Sequence, residues 1–135
     1  MFVIDASITL AWCFDDESSA GADAILDRLA AEGALAPAHW PLEVANGLRT
    51  AERRGRLDAM DLDQLRALLG QLPVEIAPVE LSTALWGVLE AARAHGLTAY
   101  DATYLGLAEA RGLALATVDA RLRAACETAG VPTLT

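Results

Sequence analysis

"FVIDASITLAWCF", residues 2–14, decides the fold. Phe2, Val3 and Ile4 are apolar in succession, without polar alternation, which is the pattern of a strand buried on both faces. "SITLAWCF" then reads as a short helix that "DDES" breaks. The same order, a short apolar run followed by helix, recurs along the chain. "ALAP" (34–37), "VEIA" (74–77) and "LALATV" (113–118) are further strand candidates, and "VPTL" (131–134) is an edge-strand candidate. Between them, Ser18 or Ser19 can cap a helix ending near Ala31, with Gly33 as its stop. "WPLEVANGLRTAERRG" has Pro41 at a helix start and Gly55 past its end, and Asp58 can cap "DAMDLDQLRALLGQL". Helices over Ser82–Ala94 and Ala99–Arg111 stop at Gly96 and Gly112, and "ARLRAACETAG" is the last. Apolar strands alternating with helices predict an α/β fold: a three-layer α/β/α arrangement around a central parallel sheet of four to five strands.

A chain of 135 residues predicts a single domain, residues 1–135, large enough to bury roughly two-thirds of its unfolded surface. The hydrophobic fraction is 54% and the mean hydropathy +0.31, yet no run approaches the roughly 20 apolar residues of a membrane span. There is no basic stretch leading into an apolar one at the start, so a cytoplasmic location without membrane attachment is expected. Cys13 and Cys126 lack metal-ligand spacing and read as reduced thiols. The charge balance is 10 − 19 = −9, every basic residue is Arg, and Lys is absent. A protein that simply coats nucleic-acid phosphates would be basic. The bunch Arg49, Arg53, Arg54 and Arg56 reads as a solvated helix end.

"LTAYDATYLGLA", residues 97–108, raises the functional question. Leu97, Tyr104, Leu105 and Ala108 recur at helical spacing, and Asp101 shares their face with no Lys or Arg one turn away. An unpaired buried charge costs several kcal/mol, roughly, even after relaxation. Three more acids sit at comparable places: Asp5 after the first strand, Glu43 in the first turn of the helix begun by Pro41, and Asp119 after the fourth strand. In open α/β sheets sites form beyond the carboxyl ends of strands, where helix N-termini also point. Each acid also has a purely structural explanation. Asp5 or Ser7 can cap the next helix, Glu43 suits the helix dipole, Asp119 can be an N-cap, and Asp101 can close a capping box with Thr98. Taken together, converging carboxylates would repel, and a divalent cation would relieve them. An all-oxygen ligand set suits Mg²⁺ or Mn²⁺, and the lack of His or Cys beside the acids disfavours Zn²⁺.

These stretches resemble a known family. "VIDASITLAW" with Asp5 and Ser7, "PLEVAN" with Glu43 and Asn46, "TAYDATYLGLA" with Asp101, and "LATVDARL" with Thr117 and Asp119 resemble the PIN-domain proteins, in particular the VapC-type ribonuclease toxins of toxin–antitoxin pairs. The likeness spans nearly the whole chain with the motifs in order. It implies a PIN-like fold and a metal-dependent endoribonuclease leaving 5′-phosphate and 3′-hydroxyl ends. It implies Asp5 and Asp101 as the main Mg²⁺ (or Mn²⁺) ligands, with Glu43 and Asp119 completing the catalytic set. Ser7, Asn46 and Thr117 match supporting positions. The resemblance also implies an RNA substrate, a cognate VapB-type antitoxin and a homodimer. A rim of Leu10, Trp12 and Phe14 is the surface expected to receive part of such a partner.

Other readings fit less well. A phosphatase of the haloacid-dehalogenase type would want an acid where Ser7 stands. Both it and a receiver domain generally use a Lys, and no P-loop or GxGxxG motif is present. A PIN-like module that binds protein or RNA without cutting is the alternative from another class. His39 and His95 read as a loop and a helix-end residue, and the three Trp as core or interface anchors.

Overall fold

The computed structural model describes residues 1–14 and 16–134. Asp15, part of the "DDES" break, lies outside the described residues. The chain order is β1 (Phe2–Ile4), α1 (Ala6–Ala11), α2 (Ala20–Glu32), β2 (Ala34–Pro37), α3 (Trp40–Arg53), α4 (Ala59–Leu69) and β3 (Val74–Ala77). A π-helical segment (Thr83–Val88) leads into α5 (Leu89–His95), followed by α6 (Ala99–Arg111), β4 (Leu115–Ala116), α7 (Ala120–Ala129) and β5 (Thr133–Leu134). The helix starts follow the expected local chemistry. Ser19 accepts a hydrogen bond from Ala22 N, and Asp58 and Asp61 form a reciprocal capping box. Gly96, at φ +64°, provides the left-handed stop that lets α5 end and α6 begin three residues later.

Two expectations shift. The helix expected from Ser82 winds as a π-helix over "TALWGV", whose Thr, Trp, Gly and Val are weak α-helix formers. α1 stops at Ala11 because the residues after it are claimed by tertiary contacts. Trp12 Nε1 donates to Ala22 O at 2.8 Å, and buried Phe14 lies under the Arg56 guanidinium, 4.3 Å from its ring centroid. The expected open rim of Leu10, Trp12 and Phe14 is therefore largely taken up by packing.

All four strand pairings are parallel, in the order β3-β2-β1-β4-β5. Strands β1, β2 and β4 are buried throughout, whereas the edge strands β3 and β5 are partly open. Each large apolar side chain of β1 contributes about 1.5–3 kcal/mol by burial, so the centre of the sheet is its most firmly held part. The chain runs outward from β1 to β3, then returns to the other side of β1 for β4 and β5. With right-handed crossovers, that reversal sends α1–α4 to one face and α5–α7 to the other. The packing agrees: α1 lies on α3, while α6 covers β1, β2 and β4 with α5 and α7 beside it. The result is three layers. The reversal also opens a crevice between the carboxyl ends of β1 and β4, where ligands bind in open parallel sheets. Among the described residues no helix is long and apolar enough to cross a membrane.

Candidate functional site

Asp5 is the first residue past β1, at that crevice. It is 4% exposed and caps α1, its Oδ1 accepting from Ile8 N at 2.9 Å. Ser7 Oγ lies 2.7 Å from Oδ1 and 2.9 Å from Oδ2, and Thr117 Oγ1 donates to Oδ2. These donors favour the ionised form, yet burial outweighs them and, with repulsion from Asp101, pushes the carboxyl up to about 6. The cap and the site are thus one residue.

The two hydroxyls also fasten the far strand. Val118 N donates to Ser7 Oγ at 3.1 Å and Asp119 N donates to Thr117 Oγ1 at 3.0 Å. The turn after β4 is therefore stitched to Asp5 through Ser7 and Thr117, each accepting from the backbone and donating to the carboxylate. Thr117 is fully buried, so its hydroxyl has no competing solvent. Asp119 follows as the cap of α7, accepting from Leu122 N at 2.9 Å.

Glu43, in the first turn of α3, is held differently. Burial raises it, but the close approach of His39 and the hydrogen bond from Tyr104 more than compensate and hold it below the usual glutamate range. Tyr104 Oη donates to Oε1 at 2.7 Å, with the ring 1% exposed in the core face of α6. Burial and the Glu43 charge together push that phenol far up, so it stays a donor. His39 Nε2 lies 3.1 Å from the same Oε1, but no aligned hydrogen bond is formed and the nitrogen is left buried without a directed partner. The ion-pair distance is sound, and the angle limits its strength. Neither Tyr104 nor His39 was expected at the site. Tyr104 falls among apolar residues at helical spacing. The signal for His39 was available, because it stands four residues before Glu43, one helical turn away.

Asp101 is half-buried in the first turn of α6. Its carboxyl is pushed up by burial and by repulsion from Asp119 and Glu43. Thr98 Oγ1 accepts from Asp101 N at 3.1 Å, but among the described residues the reciprocal bond that would close a capping box is absent. The structural explanation for this acid is therefore only half realised. A cavity of about 320 Å³ gathers the group: Asp5, Ser7, Glu43, Asn46, Asp101 and Asp119 all line it, with Tyr104 and Gly47. Thr117 reaches the site through Asp5. No basic residue lines the cavity. Among the described residues, no three of His, Cys, Asp and Glu are grouped to hold one ion directly. What the pocket offers is a concentration of carboxylate oxygens short of positive charge.

The fold and the sequence can be set beside those of known proteins. The model of the PIN domain matches residues 2–127. The chain is 37% identical over 123 residues to "Ribonuclease VapC9" of Mycobacterium tuberculosis and to "VapC ribonuclease Mb0985" of Mycobacterium bovis, covering 90% of this chain and 88% of each relative. "Ribonuclease VapC3" of Mycobacterium tuberculosis is 38% identical over 99 residues, 73% of this chain and 69% of that one. Among solved structures, PAE2754 from Pyrobaculum aerophilum superposes with a TM-score of 0.72 at 29% identity, covering 98% of this chain and 89% of the other.

Proposed function

The chain belongs to the PIN-domain family, and from that premise we propose that it is a divalent-metal-dependent endoribonuclease toxin. Its residues 1–135 act as one domain, in the cytoplasm, held in check by a cognate VapB-type antitoxin. The observation that carries the reading is Asp5: a buried carboxylate pushed up to about 6, facing three other acids and no cation of the protein's own.

The donor set fits Mg²⁺ or Mn²⁺. Mg²⁺ is usually held by one or two carboxylates and keeps several waters, so Asp5 and Asp101, which both line the pocket, suffice as protein ligands. When bound, such an ion supplies neutralising charge toward an RNA phosphate and lowers the pKa of its water. The chain's own groups do the rest. Ser7 and Thr117 hold the Asp5 carboxylate in one orientation. Glu43, kept ionised by Tyr104 and His39, receives the proton of the attacking water. Both of its described partners fall on Oε1, which leaves Oε2 for that task. Asp119 completes the negative wall, and Asn46 lines it.

Two surfaces support the protein partners. Leu81, Leu85, Trp86 and Leu89 are all exposed, an apolar stripe suited to self-pairing in a homodimer. A cavity of about 420 Å³, lined by Phe14, Arg56, Leu57, Leu65 and Leu68 among others, suits an amphipathic antitoxin segment. The test incubates the purified protein with total RNA in Mg²⁺ and maps the ends. Cuts at one or a few shared sites are expected, leaving 5′-phosphate and 3′-hydroxyl ends. They should vanish in EDTA and in Asp101→Asn. RNA that is bound but never cut would replace this reading with the binding module.

A further inference from the structure

We propose that Tyr100 is a stacking platform for a nucleobase of single-stranded RNA, steadied by His39, at the rim of the acidic pocket; the proposal deepens the reading of that pocket as an RNA-cutting site. Tyr100 directly precedes Asp101 in the first turn of α6 and is 62% exposed. Its ring is nevertheless braced. The His39 ring stands 5.4 Å away, tilted by 53°, and His39 in turn meets Tyr104 edge-on at 5.0 Å. Tyr104 is locked in the core and bonded to Glu43. The three rings form a series from core to surface, so much of the cost of ordering the outer ring is met within the fold.

Charge explains why such a ring is needed. The chain carries a net charge of −9 and no Lys. Arg28, Arg49, Arg56, Arg66 and Arg93 each lie within 4 Å of a carboxylate on the protein's own surface. With these five of the ten Arg so engaged and a net charge of −9, phosphate contacts alone give weak affinity for a polyanion. Stacking of bases on aromatic rings is independent of net charge and tolerant of sequence. Trp86 is equally exposed, but no residue of its π-helical segment lines the acidic pocket. Tyr100 is joined to the pocket through His39, whose ring stands 5.4 Å from that of Tyr100 and whose Nε2 lies 3.1 Å from Glu43 Oε1, so its ring is within reach of a base next to a phosphate engaged there.

Fluorescence anisotropy with a labelled single strand of about 12 ribonucleotides, in Ca²⁺ to slow cutting, tests this directly. Tyr100→Ala should weaken binding by about 5-fold to about 150-fold, the range of one base–aromatic stack. Tyr100→Phe and Tyr100→Trp should keep it, Tyr100→Leu should not, and an abasic strand should bind wild type and Tyr100→Ala alike. Equal binding of Tyr100→Ala to the normal strand overturns the proposal. So does an equal loss on the abasic strand, or recovery in Tyr100→Leu. A changed sedimentation coefficient in Tyr100→Ala would instead make the residue a subunit contact. Cleavage in Mg²⁺, followed in parallel, separates the two readings. No cutting by wild type with the Tyr100 dependence intact removes the nuclease and leaves the platform. Cutting with no Tyr100 dependence does the reverse.

Discussion

Replacing Asp5 by Asn should stabilise the protein when divalent cations are absent. The carboxyl is raised from 3.8 to about 6, chiefly by burial. At about 1.4 kcal/mol per pH unit, the ionised form costs the metal-free fold about 3 kcal/mol. The folded state binds this proton more tightly than the unfolded chain does. The group's contribution is therefore complete below 3.8 and lost as pH rises through about 6. Of that loss, roughly 1.4 kcal/mol falls between about pH 5 and about pH 7.5. Asn keeps the geometry. It caps helices as well as Asp, its carbonyl can accept from Ile8 N, and the Thr117 hydroxyl can turn to accept from its amide. A gain of about 1–3 kcal/mol is expected, read by urea unfolding in EDTA across that pH range, with the wild-type slope reduced in the variant. Added Mn²⁺ should then reverse the order. Wild type gains about 2.7 kcal/mol at a hundredfold excess over Kd, and Asp5→Asn gains nothing. An Asn variant that is less stable at the upper pH, with an unchanged pH slope, would refute the reasoning. Asp5 would then be a cap whose charge the fold accommodates.

Thr117→Val keeps the shape but removes the hydroxyl between Asp5 and the turn after β4. It should cost about 1–3 kcal/mol in urea unfolding and weaken Mn²⁺ binding by calorimetry. Tyr104→Phe removes a donor that helps hold Glu43 down. The acidic limb of the pH–rate profile should move upward, with a stability loss of about 1 kcal/mol. Gly47→Ala would place a Cβ 2.4 Å from Leu10 Cδ1, and both residues line the acidic cavity. Better helix propensity, worth about 1 kcal/mol, offsets the displaced Leu10. Stability should stay near wild type while RNA cleavage falls.

The sequence determined most elements of this protein, because their causes are local, while tertiary contacts of Trp12 and Phe14 set where α1 stops. The apolar runs at residues 2–4, 34–37 and 74–77 became strands. Ser19, Asp58, Thr98 and Asp119 cap helices through bonds to backbone three residues away. The α/β alternation and the four acids at element ends could be read without coordinates. The tertiary structure decided which ends meet. Asp5 and Thr117 lie 112 positions apart, and they bond because the strand order sets β4 beside β1. No spacing in the chain encodes that adjacency. Tyr104 was legible as apolar core, but its hydroxyl reaches Glu43 only because α6 and α3 meet at the crevice, 61 positions apart in sequence. His39 joins them by the same convergence. Hydrogen bonds within a turn follow from the order of residues, whereas bonds across the sheet follow from strand order and register, which the whole core sets at once.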